Sequence, residues 1–398
     1  MAGRIPLLIH ATHEAGVKVG GIGAVLDGLL SAQAYNQAVD RSILAGPMMG
    51  WDSTQMERLT SPRNRLTIRY SSLHGIFDNV EPTLAEALQA VEQTYGVALL
   101  YGVRRFGGSD HEVILIDATS PNMAPINAFR YFVWQHYGID SNRYSHDGEF
   151  NLFFSIAQPL FATLKALQVD ADLAANDRFI LAHEWLGMPL VFAAQMNEPD
   201  QWRTIFYAHE TATARLLVEE HGGHDTRFYN ALSIGRAWGV DLPTLFGDQS
   251  HYYKDAIIRQ ALRCDNIFAV GDLVVDELRF LGRGFHNAHR SRLQWRHRRR
   301  DHAARPAGIE APVAKILRTA AGLRPRLRLH PRHKVGAFQS AVARHPCDGT
   351  PGSHVGRGGQ DGGALRVEHQ CPRRATPRVG TLLGSPIRLA RRSPRRQR

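Results

Sequence analysis

A pair of glycines beside a lysine is the first group of residues whose types and spacing suit a chemical task. In the segment HEAGVKVGGIG, which starts at His13, Lys18 stands just before Gly20 and Gly21. Glycine has no Cβ and lets backbone N–H groups approach a ligand closely, and the start of a helix favours an anion. Because lysine adds a full positive charge, the segment predicts a phosphate site. Its spacing fits neither the dinucleotide fingerprint nor the P-loop, and the alternative is a glycine-rich turn with a surface lysine.

Two histidines and a glutamate stand at the carboxyl ends of apolar runs. His183 and Glu184 follow the run RFILA, and His209 follows TIFYA. Open α/β sheets bind ligands at the carboxyl ends of their strands, and a histidine there can bond a hydroxyl without acting as a base. The alternative for His183 is a structural role, in which the histidine is buried at the strand end and its ring nitrogens find hydrogen-bond partners within the protein. Glu210 or Thr211 fits the cap of a following helix equally well.

No pattern of metal ligands accompanies these residues, so we predict no metal and no bound cofactor. The 20 histidines form no H-x-x-x-H pair in a helical context, and the cysteines (Cys264, Cys347 and Cys371) have neither metal nor disulfide spacing. This cysteine usage favours a reducing, cytoplasmic setting. No run approaches twenty apolar residues, and we therefore predict no membrane span.

The elements that must position these residues follow from the hydrophobic pattern up to Gly284. Short apolar runs predict strands, and each leads through small or polar residues into a helical stretch; examples are IPLLIHAT, RSILAGPMM, EVILIDAT and RFILAH. GAVLDGLLSAQAYNQAV predicts one helix over 23–39. TLAEALQAVEQTYG predicts another, with Thr83 at its N-cap and Gly96 at its end. The alternation predicts an α/β fold with a Rossmann-like, doubly wound sheet.

The composition changes after Gly284, where Arg, Pro, Gly and His dominate. Residues 281–398 hold 25 Arg and 2 Lys against 3 Asp and 2 Glu, a net charge of +22, and the other 280 residues carry −11. We predict that residues 285–398 form a largely irregular basic tail without a stable fold. Three origins fit: a shifted reading frame in GC-rich DNA, which explains the composition best, a genuine disordered tail, or an arm that binds nucleic acid.

Four segments, in order along the chain, resemble glycogen and starch synthases. They span most of residues 5–282 and read HEAGVKVGGIGAVLDGL, RFILAHEWLGMPLV, TIFYAHETATARLL with FYNAL, and YYKDAIIRQALRCDNIFAVGDLVVDELRFLG. Members of this family are retaining glycosyltransferases of the GT-B architecture, in which two Rossmann-like domains face each other across a cleft. The resemblance implies that residues 1–284 are the N-terminal, acceptor-side domain. It also implies transfer of glucose from ADP- or UDP-glucose to an α-1,4-glucan, without a metal.

The resemblance assigns roles to individual residues. Lys18, Gly20 and Gly21 are expected to face the diphosphate of the sugar nucleotide, where negative charge grows as the glycosidic bond breaks. His183 is the expected catalytic residue, in the cleft beside the transferred sugar. Glu184, which stands where many relatives have Asp, and His209 are expected to bind substrate.

The tail limits what the resemblance implies for activity. Residues 285–398 contain no counterpart of the family's donor-binding second domain, so we expect this chain to be inactive or very weak. The expected partners are a sugar nucleotide and an α-glucan, with nucleic acid bound only non-specifically through the tail. The alternatives are another GT-B transferase that uses a sugar nucleotide, a non-catalytic glucan-binding protein, and a protein whose basic tail binds nucleic acid.

Overall fold

Eight strands of the described residues form one sheet with helices on both faces. The computed structural model describes residues 4–219 and 224–286. The strands are β1 Ile5–Ala11, β2 Val39–Pro47, β3 Leu66–Ser71, β4 Ala98–Phe106, β5 Ser109–Asp117, β6 Arg178–His183, β7 Arg203–Ala208 and β8 Asn266–Ala269. The helices are α1 Gly21–Leu30, α2 Gln33–Ala38, α3 Ser53–Thr60, α4 Pro82–Tyr95, α5 Met123–Tyr137, α6 Gly148–Ala166, α7 Glu184–Asn197, α8 Ala212–Glu219, α9 His224–Trp238, α10 Leu242–Phe246, α11 Tyr253–Ile258 and α12 Asp272–Leu281.

The strand order gives the sheet a point where the winding direction reverses. The order is β3-β4-β5-β2-β1-β6-β7-β8, and β1 pairs in parallel with β2 on one side and β6 on the other. The chain first winds outward from β1 through β2, and it later returns to the other side through β6, β7 and β8. The loops that follow β1 and β6 therefore leave in different directions and open a crevice at the carboxyl ends of the strands.

One edge of the sheet departs from the parallel pattern. β4 runs antiparallel to both β3 and β5, because a two-residue turn at Gly107 and Gly108 joins β4 directly to β5 and Gly107 has a φ of +57°. The predicted α/β class with a doubly wound sheet is confirmed, with an antiparallel edge that the sequence pattern did not predict.

Two hydrophobic layers cover the two faces of the sheet. Helices α1, α2 and α3 pack on the face that carries Leu8 of β1. The larger layer packs helices from α4 onward against the face that carries Leu7 and Ile9. This alternation along β1 follows from the two-residue period of a strand, and burial of both faces explains why β1 is apolar throughout.

Two helix predictions need correction at their boundaries. The single helix predicted over 23–39 is two helices, because Ala32 adopts an extended backbone and the Ser31 hydroxyl donates to the Asp27 carbonyl at 2.6 Å, which ends α1. Helix α4 begins two residues earlier than predicted, with Pro82 as its first residue, so the N-cap is Glu81 and not Thr83. Gly96 ends α4 in the left-handed conformation, as predicted.

The predicted basic tail lies outside the described residues, apart from Phe285 and His286. These two residues end a short 3-10 turn, and Phe285 is buried in the larger hydrophobic layer. In the described part of the chain, no helix combines the length and the apolar character that crossing a membrane requires.

Candidate functional site

The crevice at the carboxyl ends of the strands holds a cavity of about 1440 Å³. Its walls come from the segments after β1, β2, β5, β7 and β8 and from helices α1, α3, α5, α6, α7 and α11. The residues at the strand ends that line it are His13, Glu14, Gly20, Gly21, Glu184 and His209. A cavity of this size at the reversal point of an α/β sheet is the ordinary place for a ligand of the fold.

The glycine loop already holds an anion, and that anion belongs to the protein. Oε2 of Glu14 accepts the backbone N–H groups of Val19 and of Gly20, the second at 2.7 Å, and the N–H of Gly23 also bonds this carboxylate. Burial opposes ionisation of Glu14, but these N–H groups outweigh it and hold its pKa below the ordinary value. A Cβ at Gly23 would collide with Glu14 Oε2, so a larger residue there would force this carboxylate to shift. The start of α1 is therefore an anion site that a carboxylate occupies.

Of the three residues predicted to face a diphosphate, two line the cavity and one does not. Gly20 and Gly21 line it, and a Cβ added to Gly21 would meet no atom within 4 Å. Lys18 does not line it, because its Nζ pairs with Asp27 of α1 at 3.1 Å. The cation on the cavity wall beside this loop is Arg58 of α3, which donates to the Lys18 carbonyl at 2.8 Å. The phosphate-binding role of the three residues stays a prediction.

His183 is the last residue of β6 and has no exposed surface. Its Nε2 lies 3.0 Å from Nδ1 of His10 on β1, and its Nδ1 lies 3.0 Å from Nε2 of His209. His209 lines the cavity. His183 does not line it and lies behind His209, to which it is hydrogen-bonded. Burial lowers the pKa of His183 well below 6.5 and that of His209 to about 4, so both rings are neutral near pH 7. The structure brings the two predicted histidines together, and any effect of His183 on a ligand passes through His209.

Glu184 is the first residue of α7, on the cavity wall, with a φ of +61°. Its Oε1 accepts the N–H groups of His209 and Glu210, the latter at 2.7 Å. Its Oε2 is buried without a hydrogen-bond partner among residues 4–219 and 224–286. Burial raises the pKa of Glu184 to about 8 against the effect of these two N–H groups, and the charges of Glu210 and Glu277 raise it further. Near neutral pH this carboxyl group carries a proton that it can donate to a ligand.

Two further residues of the wall were not predicted from the sequence. Arg130 of α5 donates to Asn151 at 2.8 Å, and its Nε is buried without a partner in the described residues. Lys254 of α11 lies 4.9 Å from the centre of the Trp185 ring and pairs with Glu149 at 2.9 Å. No local motif marks these positions, because α5 and α11 reach the cavity through packing against α7.

The described residues contain no group of three or more histidine, cysteine, aspartate or glutamate side chains that could hold a metal ion. The buried histidines bond to one another instead. The prediction that no metal or cofactor takes part stays a prediction.

Comparison with solved structures gives a structural likeness. No family pattern matches the sequence, and no curated protein matches it. Among solved structures, the chain is similar to the catalytic domain of starch synthase IV from Arabidopsis thaliana bound to ADP and acarbose, with 19% sequence identity and a TM-score of 0.26. The similarity covers 53% of this chain and 34% of that chain, so the protein spans about a third of the length of that domain.

Proposed function

We propose that the described residues form the acceptor-side half of a glycogen or starch synthase-like glycosyltransferase of GT-B architecture. In this proposal the cavity binds ADP- or UDP-glucose and the end of an α-1,4-glucan. The observation that carries the proposal is the anion site at the start of α1, which opens into the same cavity as Glu184 and His209. The four sequence segments that resemble the synthases contribute the elements of this cavity.

The glycine loop is the phosphate end of the proposed site. A diphosphate that takes the N–H groups of Val19 and Gly20 must displace the carboxylate of Glu14, which now accepts them. Such donors are fixed before the ligand arrives, and they stabilise the charge that grows on a departing nucleoside diphosphate more than they stabilise the ground state. Arg58 on the adjoining wall adds a positive charge.

Glu184 and His209 form the sugar end of the proposed site. The unpartnered Oε2 of Glu184 and the ring of His209 offer directional hydrogen bonds with little net charge, which suits the hydroxyl groups of a hexose. The ring of Trp185 also lines the cavity, and aromatic faces suit the apolar faces of sugar rings.

Transfer by this chain is proposed to be weak or absent. The GT-B architecture needs donor contacts from a second Rossmann-like domain, and residues 285–398 contain no sequence counterpart of that domain. Binding of the sugar nucleotide is therefore a sharper test than transfer. The alternative function is that of another GT-B transferase, which uses a sugar nucleotide with a different acceptor.

The test measures binding of ADP-glucose and UDP-glucose by calorimetry, to the native protein and to Gly21→Ala. The new methyl group enters open space at the first residue of α1, so the fold should tolerate it and gain up to about 1 kcal/mol in unfolding free energy. We expect one of the two sugar nucleotides to bind, and we expect Gly21→Ala to weaken it about tenfold by blocking close approach to the backbone.

Gly28→Ala is the matched control, since it adds a methyl group to the same helix, also in open space, but away from the cavity. It should share the gain in stability and leave binding unchanged. Absence of binding by either sugar nucleotide, or equal affinity in Gly21→Ala and the native protein, would contradict the proposal. Clear elongation of glycogen by the native chain would contradict the expected weakness of transfer.

A further inference from the structure

Three tryptophans of the described residues have exposed side chains, and one of them lies on the wall of the cavity. Trp51 is 71% exposed, Trp134 51% and Trp238 80%, and of these three only Trp51 lines the cavity. Among residues 4–219 and 224–286, the indole of Trp51 has no hydrogen bond, ring contact or cation partner. Its face is therefore open to a flat group of the ligand.

The loop that presents Trp51 is held in place on both sides of this residue. Gly50 donates its N–H to Oδ2 of Asp117, at the end of β5, with a distance of 2.7 Å. Asp52 caps α3, because its Oδ1 accepts the N–H of Gln55 at 3.1 Å. The indole thus projects from a fixed backbone, and a ring can stack on it without the cost of ordering a loop.

The strand order places Trp51 and the sugar end of the proposed site on opposite sides of the glycine loop. Trp51 follows β2, the glycine loop follows β1, and Glu184 and His209 follow β6 and β7. These strands are neighbours in the order β2-β1-β6-β7. In a sugar nucleotide the diphosphate lies between the sugar and the nucleoside. With the diphosphate at the glycine loop and the sugar at Glu184, the nucleoside points toward β2 and Trp51.

Helix α3 connects the proposed phosphate site with Trp51. Arg58 donates to the Lys18 carbonyl of the glycine loop at 2.8 Å. Gln55 and Trp51 precede it by about one and two turns, and all three line the cavity. Seven residues at 1.5 Å each give roughly 10 Å between the two ends of this row. That span leaves room for a ribose between a diphosphate beside Arg58 and a base on Trp51.

The two ends of the cavity also differ in polarity. The end near Glu184 and His209 offers a carboxyl group and an imidazole, which suit hydroxyl groups. The end near β5 and β2 is rich in apolar side chains, and the sulfur of methionine makes favourable contacts with aromatic rings. The apolar residues of this end are Pro47, Met48, Met49, Trp51, Ala118, Pro121 and Met123.

We propose that Trp51 binds the base of the nucleotide, which stacks on the indole while the diphosphate lies at the glycine loop. Every base has a flat π-face, so stacking on Trp51 adds affinity for adenine and for uracil alike. The position of the diphosphate in this assignment rests on the proposed function.

Calorimetry with ADP, UDP, inorganic pyrophosphate and maltoheptaose tests the assignment on the native protein, Trp51→Ala and Trp51→Phe. We expect Trp51→Ala to weaken ADP and UDP about tenfold or more, which is the usual effect of removing one stacking ring. Pyrophosphate has no base, so its binding should not change. Trp51→Phe keeps an aromatic face and should retain most of the affinity for both nucleotides.

Trp238→Ala is the matched control, because it removes an exposed indole that does not line the cavity. It should leave every affinity unchanged. The midpoint of urea unfolding should be the same for Trp51→Ala and the native protein, since the indole has no partner in the described part of the chain.

Equal nucleotide affinity in Trp51→Ala and the native protein would overturn the proposal. So would an equal loss of affinity for pyrophosphate, which would mean that the substitution disturbs the phosphate site. A loss confined to maltoheptaose would overturn it as well and would assign the indole to a sugar ring.

The sugar nucleotides separate this proposal from the proposed function. If ADP-glucose or UDP-glucose binds the native protein and Trp51→Ala equally well, the assignment of the base fails and the proposed function stands. If ADP or UDP binds with a loss in Trp51→Ala but neither sugar nucleotide binds, the proposed function fails and the assignment of the base stands.

Discussion

At the scale of single residues, Glu184 combines three unfavourable features in one side chain. Its backbone is in the left-handed region, which costs a non-glycine residue about 1 kcal/mol or more. One carboxyl oxygen is buried without a partner in residues 4–219 and 224–286, and the residue as a whole is 3% exposed. A fold keeps such a combination when the site needs it, so Glu184 is the strongest single-residue evidence for a ligand in this cavity.

Replacement of Glu184 by Gln should change how stability depends on pH. The folded state holds the proton of Glu184 up to a pKa of about 8, whereas the unfolded chain releases it near 4.5. The folded state therefore binds more protons between these values, and Glu184 lowers the unfolding free energy as the pH rises from 4.5 to 8. We expect Glu184→Gln to remove this pH-dependent loss of unfolding free energy. At pH 8 the variant should be more stable than the native protein by a few kcal/mol, since each unit of pKa difference corresponds to about 1.4 kcal/mol.

Urea denaturation at pH 5, 6, 7 and 8 measures this difference, with the exposed Glu86→Gln of α4 as the matched control. The control should follow the native curve at each pH. A Glu184→Gln curve parallel to that of the native protein would show that Glu184 is already ionised in the folded state.

The sequence indicated the cavity-wall residues that end strands, but it did not indicate the residues behind them. Glu184 and His209 follow apolar runs, and the carboxyl end of a strand is a position that the hydrophobic pattern reveals. Gly20 was indicated by the glycine that follows it. His10 lies inside a strand and is 173 residues from the ring it bonds. Its partner depends on β1 and β6 being neighbours, which no local pattern encodes.

At the scale of elements, the site depends on how closely α7 approaches the strands that it follows. A Cβ at Gly187 would lie 2.5 Å from the Ala11 carbonyl oxygen of β1 and 2.7 Å from Cα of Ala182 on β6. This contact holds the first turn of α7, and with it Glu184, against the end of the sheet. Only a residue without a side chain allows the approach, because the opposing atoms are backbone.

Gly187→Ala should therefore destabilise the protein by about 3 kcal/mol through overpacking, although alanine is the better helix former. Thermal and urea unfolding at pH 7 give the measurement. Gly28→Ala, in the open part of α1, is the control and should be neutral or slightly stabilising. A Gly187→Ala protein as stable as the native one would show that α7 can move away from β1, and that Glu184 is not held by this contact.

The elements were predictable where sequence periodicity alone determines them. The central strands and the end of α4 at Gly96 follow from apolar runs and from a glycine in the left-handed conformation. The break between α1 and α2 was not predictable, because it depends on one serine hydroxyl that competes for a backbone carbonyl inside an apolar pattern. The antiparallel edge depends on a two-residue turn at Gly107, which the strand pattern on either side leaves open.

At the scale of the whole molecule, buried histidines oppose two buried glutamates, Glu184 and Glu277, as the pH changes, because burial raises the pKa of both carboxyl groups. Burial lowers the pKa of His10 to about 3, that of His209 to about 4 and that of His183 well below 6.5. The unfolded chain takes up these protons near pH 6.5, so each histidine contributes stability above that pH and loses it as the pH falls. Glu184 acts in the other direction between pH 4.5 and 8.

The balance predicts a stability maximum near pH 6.5. Below it, the three histidines outweigh Glu184 and Glu277, and the unfolding free energy should fall by roughly 1–3 kcal/mol per pH unit down to about pH 4.5. Above it, the losses from Glu184 and Glu277 remain, and Glu184→Gln should remove the first of them. His10→Gln should reduce the acid slope by about one proton, whereas the exposed His74→Gln should not change it. A flat profile between pH 5 and 6.5, or an equal acid slope in His10→Gln, would mean that the folded protein protonates these rings.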